Sequence, residues 1–327
     1  MNYAVIGTGY WGENHVRVAA ELVSEGLVDD VVLCDIDRDR VADLADRYGF
    51  EFTTSYNELS DMGVDAAVVA TPSPTHETVA TDLLAGGVDV LVEKPLSVDS
   101  DSAWNIVAAA DEHDRELAVG HIFRHHPALL ELKQRIDRGE LGRIKYLQTN
   151  RFSFRVPRET AGVLYSLAVH DVDIYRYLLD AAPDAVYCRL DNWVREDIDE
   201  TATLLFEFGD TTGVINESWQ IPIFGKRRDL VVVGTERSAH LDYLDDTTFE
   251  LFNYRIDGGD GGKRAVEEGS TTHETENREP LRVEVENFIG ACEGTDTLRA
   301  PGRIGAETVE LLEMARESDR DGRVVTR

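Results

Sequence analysis

Cysteine, lysine and long apolar runs are scarce in this 327-residue chain, and each scarcity excludes something. The three cysteines, Cys34, Cys188 and Cys292, are odd in number, far apart and outside any CxxC pair. Neither a disulfide framework nor a structural zinc site is therefore expected. No stretch of about 18 or more uncharged apolar residues occurs, which removes a membrane-spanning helix. Met1 and Asn2 lead straight into an apolar strand ended by Gly7, so no signal peptide is expected. A cytoplasmic enzyme is the simplest expectation. Internal repeats and low-complexity tracts are absent as well.

The basic residues number 33 against 63 acidic ones, for a formal net charge of −30. Only Lys94, Lys133, Lys145, Lys226 and Lys263 are lysines; the other cations are arginines. Such a charge repels itself in dilute buffer, and the repulsion fades near 1 M salt, where the Debye length is about 3 Å. Many carboxylates with few lysines suit a salt-rich cytoplasm, so a halophilic source is expected. The same charge argues against nucleic acid and anionic membranes as partners. An anionic substrate would have to be met by a local cluster of arginines.

What is present divides the chain in two. Apolar runs at 3–6, 31–35, 65–71, 89–93 and 117–121 alternate with amphipathic helical patterns, the signature of a parallel sheet covered on both faces. After Pro127 one helix gives way to strands at 145–154, 185–193, 202–208, 213–220, 229–233, 240–243 and 249–253. A helix over about 167–179 interrupts them. Several of these strands alternate apolar with polar residues, which predicts a mainly antiparallel sheet with one face on helices. The Gly-rich, charged segment 257–280 reads as a loop, followed by helices near 281–292 and 303–318. The fold class expected is α/β: a Rossmann domain over 1–122 and a second α/β domain over 123–327, with a large, mainly antiparallel open sheet.

Gly7-Thr8-Gly9-Tyr10-Trp11-Gly12 follows the first strand and opens the first helix, and Asp35 ends the next strand 23 residues after Gly12. In that setting Gly7 serves the tight turn, Gly9 close approach of a pyrophosphate, and Gly12 helix–strand packing. Asp35 should accept from the adenosine ribose, which favours NAD over NADP, although Arg38 could neutralise a 2′-phosphate. Thr71-Pro72-Ser73-Pro74-Thr75-His76 and Glu93-Lys94-Pro95 end the following strands and so border the cofactor crevice. Lys94 is unusual in this arginine-using chain. An ammonium, unlike a guanidinium, can lose its proton when desolvated beside a cationic nicotinamide.

The segments GTGYWG, ATPSPTH, EKP and Gly120-His121-Ile122-Phe123-Arg124-His125-His126-Pro127 together resemble the Gfo/Idh/MocA family of sugar and inositol dehydrogenases. The resemblance continues through Leu164-Tyr165-Ser166-Leu167-Ala168-Val169-His170-Asp171-Val172-Asp173 and covers nearly the whole chain. It implies NAD(P)-dependent oxidation of a secondary alcohol, with Lys94 and His170 as catalytic residues and His121 near the nicotinamide. His170 is the favoured base and Lys94 the group that orients the hydroxyl, though the two roles could be reversed. Ser166 stands where the family usually has aspartate, which removes one candidate base and counts against inositol-type substrates. No metal is expected, since the spacing of His121, His125 and His126 matches no metal-binding motif.

The cues Gly-Tyr-Trp-Gly with Asn14 and the Asn150-Arg151 pair look most like the branch that oxidises C3 of UDP-N-acetylglucosamine or its uronate. Arg124, Arg151, Arg155 and Arg158 would then meet a diphosphate, with Tyr165, Ser166, Trp219, Lys226 and Arg227 lining the pocket. A free sugar or inositol dehydrogenase is the alternative, as is a non-catalytic NAD(P)-binding sensor. The family's open sheet commonly forms its oligomer interface, which implies a homodimer or homotetramer through the C-terminal sheet.

Overall fold

The apolar runs of the first 122 residues become one parallel sheet in the computed structural model, which describes residues 1–245, 247–259 and 262–327. The elements run β1 (Asn2–Ile6), α1 (Gly12–Ser24), β2 (Asp30–Cys34), α2 (Arg38–Tyr48), β3 (Glu51–Thr53) and β4 (Ala66–Val69). There follow α3 (His76–Ala85), β5 (Asp89–Val92), α4 (Ser100–His113) and β6 (Leu117–Val119). The strand order is β3-β2-β1-β4-β5-β6, with every pair parallel. Order reverses between β1 and β4, the switch point outside which a doubly wound sheet binds its ligand. Alternate side chains enter opposite layers: Tyr3 and Val5 of β1 join one apolar cluster, Ala4 and Ile6 the other.

From Phe123 onward the chain builds a second unit. It contains α5 (Pro127–Asp137), β7 (Ile144–Ser153), a π-turn (Leu164–Ala168), α6 (Val169–Leu179), β8 (Ala185–Asp191), β9 (Thr201–Phe208) and β10 (Thr211–Ser218). Then come β11 (Lys226–Gly234), β12 (Ser238–Asp242), β13 (Thr248–Gly259), β14 (Gly262–Glu274) and β15 (Val325–Thr326). Among the described residues these strands form one sheet, ordered β14-β13-β12-β11-β7-β10-β9-β8-β15. Only the β7–β10 pair is parallel. The alternation in β9 buries Ala202, Leu204 and Phe206, which pack with Leu129 and Leu132 of α5 and Val172 and Tyr175 of α6. Segment 257–280, read from sequence as a loop, is corrected in part: most of it is strand, with residues 260 and 261 outside the described set. Charges pair across this hairpin, Arg255 with Glu268 at 2.9 Å and Asp257 with Arg264 at 3.9 Å.

The two units are Met1–Ile122 with Pro280–Glu310, and Phe123–Glu279 with Leu311–Arg327. The division therefore departs from a single second domain over 123–327. The reason is apolar: α7 (Pro280–Cys292) places Leu281, Val285, Phe288 and Ile289 in the cluster of Tyr3 and Val5. The start of α8 (Gly302–Asp321) adds Ala306 and Val309 to the opposite cluster, while its Leu311, Leu312 and Ala315 belong to the core of the second unit. Among the described residues no helix is long and apolar enough to cross a membrane.

Candidate active site

The turn after β1 has the geometry that an anionic dinucleotide requires. Gly7 has φ +88°, and a Cβ there would lie 2.8 Å from the backbone of Ala70 and Thr71. A Cβ on Gly12 would fall 1.8 Å from the Gly7 carbonyl oxygen, so the helix can start this close only with glycine. Gly9, in contrast, faces open space within 4 Å. No side chain caps α1, whose N-terminus follows directly on the glycine turn. Tyr10 is exposed and Trp11 partly so.

Asp35 is buried and fully engaged. One carboxylate oxygen accepts from the Thr8 amide (2.7 Å) and hydroxyl (2.9 Å), the other from the Asp37 amide (2.9 Å) and the Arg40 guanidinium (2.9 Å). Burial alone would raise its pKa, but Arg40 and the Asp37 and Thr8 donors bring it below the ordinary carboxylate value. Arg40, not Arg38, is the cation beside this acid; the Arg38 guanidinium lies 5.7 Å from the Phe52 ring centroid. The signal for Arg40 was present in the sequence: Asp37 caps α2 by accepting from the Arg40 amide, which fixes Arg40 in the first turn.

The loops after β4 and β5 are stapled together by His76. Its buried ring meets the Thr71 carbonyl at 2.8 Å and the Pro95 carbonyl at 3.1 Å. Burial lowers its pKa against the pull of those carbonyls, and both ring nitrogens face backbone oxygens. Thr71, Pro72 and Ser73 lead into a short 3₁₀ turn (Ser73–Thr75), and the Lys94–Pro95 peptide is cis. Glu93, expected near the cofactor, turns inward instead. It accepts from the Trp11 indole, from His15 at 2.8 Å and from the Lys94 amide at 3.2 Å. His121 is buried immediately beyond β6.

In the second unit the π-turn carries Tyr165 and Ser166 and runs directly into α6, whose second residue is His170. Such local widening of a helix is frequent at functional sites. His170 is half-buried and packs edge-on against Phe123, ring centroids 5.1 Å apart. Ser166 is buried, its hydroxyl 3.5 Å from the Ala161 carbonyl. The arginines read from sequence as a substrate cluster separate into two kinds. Arg151 is buried against Asp171, at 2.5 and 3.0 Å, with its guanidinium 4.6 Å from the Phe123 ring centroid and 4.5 Å from that of Tyr243. Arg124 is likewise buried on Asp173 at 2.8–3.0 Å. Both are corrected to internal ion pairs, because a guanidinium held this way has no free face for a diphosphate. Arg155 and Arg158 are exposed. Arg227 is exposed with Lys226 and bonds Asp229 at 2.6 Å, whereas Trp219, expected in the pocket, is buried with the Arg155 guanidinium 5.6 Å from its ring.

One acid in this region escaped the sequence reading. Glu217 of β10 stands in register with Arg151 of β7, which in turn pairs with Arg228 of β11. It is fully buried, with the Asp171 carboxylate as its hydrogen-bonding neighbour. Burial and the neighbouring Asp171 push its pKa well up against the pull of Arg151. No sequence signal separates this glutamate from the other acids of the chain. Among the described residues no group of three or more His, Cys, Asp or Glu side chains is arranged to hold a metal ion.

Comparison with known proteins fits this arrangement. Residues 1–121 match the family description "Oxidoreductase family, NAD-binding Rossmann fold", and residues 129–240 match "GFO/IDH/MocA C-terminal domain". The chain is 30% identical to scyllo-inositol 2-dehydrogenase (NAD(+)) of Bacillus subtilis over 74% of its own length and 73% of the relative's. Inositol 2-dehydrogenase 2 of Saccharopolyspora erythraea is 32% identical, the match spanning 63% of either chain. The solved structure of UDP-N-acetylglucosamine 3-dehydrogenase from Acidithiobacillus ferrooxidans superposes with a TM-score of 0.82 at 25% identity, covering 97% of each chain. A levoglucosan dehydrogenase in complex with NADH and levoglucosan, at 20% identity, shares the fold with a TM-score of 0.85. Glycine turn, lysine loop, second-unit sheet and sequence agree: the chain belongs to the Gfo/Idh/MocA family of NAD-dependent sugar and polyol dehydrogenases.

Proposed function

We propose that the chain oxidises a secondary hydroxyl of a sugar, at C3 of a UDP-N-acetylhexosamine or its uronate, with NAD as the cofactor. The observation that carries the dehydrogenase reading is Lys94. It is one of five lysines, placed at the carboxyl end of a central strand on a loop held by His76 on one side and Glu93 on the other. Gly7, Gly9 and Gly12 with the start of α1 would hold the pyrophosphate and Asp35 the ribose, with Tyr10, Trp11, Thr71, Pro72, Ser73, Pro95 and His121 around them. Bound NAD supplies the hydride acceptor. His170 takes the hydroxyl proton, and Lys94 donates a hydrogen bond to the same oxygen as it becomes a carbonyl.

Two observations support a nucleotide sugar. A relative named for that substrate superposes along nearly the whole chain, and Arg155 and Arg158 are exposed cations ahead of the π-turn that carries Tyr165 and Ser166. A free sugar or inositol is the second reading, favoured by the inositol-named relatives and by the engagement of Arg124 and Arg151 in internal pairs. A screen of UDP-sugars against free sugars and inositols, followed by NADH absorbance in about 1 M KCl, separates them. Turnover of free sugars or inositols alone ends the UDP assignment. A homodimer or homotetramer through the open face of the second-unit sheet and a halophilic origin belong to the same proposal. Light scattering tests the first, and a Tm that rises with added KCl the second.

A further inference from the structure

Two buried glutamates lie in the first unit, and their surroundings differ. Glu93, just beyond β5, accepts three hydrogen bonds: the Trp11 indole and the His15 ring on one oxygen, the Lys94 amide on the other. Gly120 makes room for it, since a Cβ there would lie 2.9 Å from the Glu93 carboxylate. Trp11 belongs to the glycine turn and His15 to the first turns of α1, so this one carboxylate bonds both the cofactor turn and the backbone of Lys94. Glu284 of α7 is 3% exposed, and neither of its oxygens has a hydrogen-bond partner. The groups around it are Glu93, the Tyr3 hydroxyl of β1 and, through Tyr3, the Cys292 thiol of α7; His15 and Lys94 act on Glu93.

We infer that Glu93 is a positioning residue that joins the pyrophosphate turn to Lys94, and that Glu284 is held as a neutral acid so that the join carries a single negative charge. The inference rests on the NAD-dehydrogenase reading of this site. A carboxylate with three donors is stable inside a protein, whereas one with none is not and keeps its proton. Burial and the charge of Glu93 push the Glu284 pKa well up, and the donors on Glu93 bring its own below the ordinary value despite burial. A second charge here would repel the pyrophosphate and compete for His15 and Trp11.

NADH affinity is measured by calorimetry from about pH 6 to pH 10 for the wild type and three variants. Glu93→Gln should weaken NADH binding by about tenfold and lower kcat as well, and Trp11→Phe should weaken binding by about threefold. The wild type should lose affinity toward alkaline pH, and Glu284→Gln should abolish that loss. The infrared difference between wild type and Glu284→Gln at neutral pH should contain a protonated carboxylic acid band, separate from the band Glu217 contributes to both. Wild-type NADH affinity and kcat in both Glu93→Gln and Trp11→Phe overturn the positioning role. Persistence of the alkaline loss in Glu284→Gln, or absence of that difference band, overturns the neutral acid. If the wild type binds no NADH at all, the dehydrogenase reading fails instead, and the infrared arm still decides the state of Glu284.

Discussion

Each unit buries a pair of carboxyl groups beside a proposed reacting residue, and the two pairs are neutralised by different means. In the first unit the charged member, Glu93, is satisfied by an indole, an imidazole and a backbone amide. In the second, Asp171 takes a guanidinium in two hydrogen bonds, inside a clamp of two aromatic rings. The uncharged members, Glu284 and Glu217, are both buried beside a charged carboxylate, Glu93 and Asp171 respectively. No guanidinium pairs with Glu93 in that way, and the Lys94 charge acts on it together with its donors. The arginine cancels Asp171 where it stands, so His170 sits beside an electrostatically quiet pair. The dehydrogenase thus holds its lysine in a polarised setting and its histidine in a mechanically stiff one.

The largest break in that comparison is removal of the reacting groups. Lys94→Ala and His170→Ala should each lower kcat by about 10²–10⁴ while NADH still binds, read by steady-state kinetics and calorimetry. Next comes the guanidinium. Arg151→Met leaves Asp171 buried without its cation and should cost about 3–5 kcal/mol in denaturant unfolding at high salt. Removal of the corresponding donor in the first unit, Trp11→Phe, should cost only about 1 kcal/mol by the same measurement. If the two variants lose equal stability, the contrast between the pairs is wrong.

Smaller effects sharpen the likeness of Glu217 and Glu284. Both carboxyls titrate above their unfolded value, so the native state binds more protons than the unfolded one. Their contribution is fully present below about pH 4 and is lost as pH rises toward the folded pKa. Glu217→Gln and Glu284→Gln should therefore flatten the decline of stability with pH and gain about 1–2 kcal/mol near neutrality. Chemical denaturation at three pH values measures this, and an unchanged slope in either variant would show that acid to be ionised. The smallest expected effect is Arg40→Ala, which removes one of the two donors on one oxygen of Asp35 and should change the KM for NAD by about two- to threefold.

The Rossmann unit was largely legible because its signals are local. Apolar runs, glycine spacing and an acid at a strand end each stand within a few residues of what they determine. The strands of the second unit were legible for the same reason, through alternation. What escaped was decided by distant partners. Arg124 and Arg151 read as substrate ligands because arginine is this chain's ordinary cation, and only the fold shows Asp173 and Asp171 opposite them. Glu217 and Glu284 are two of 63 acidic residues, and only the fold shows that they are buried, each beside a charged carboxylate. Segment 257–280 looked like a loop because its cross-strand charge pairs are invisible one residue at a time.

The return of Pro280–Glu310 to the first unit has a consequence for synthesis. A ribosome delivers all six strands of the parallel sheet early, but Phe288 and Ile289, which cover one of its faces, arrive more than 160 residues later. Glu284 and its proton arrive with them. Until then the nascent sheet exposes an apolar surface that chaperones would recognise, while the second unit is being made. The nucleotide-binding half is thus the first to be started and among the last to be finished.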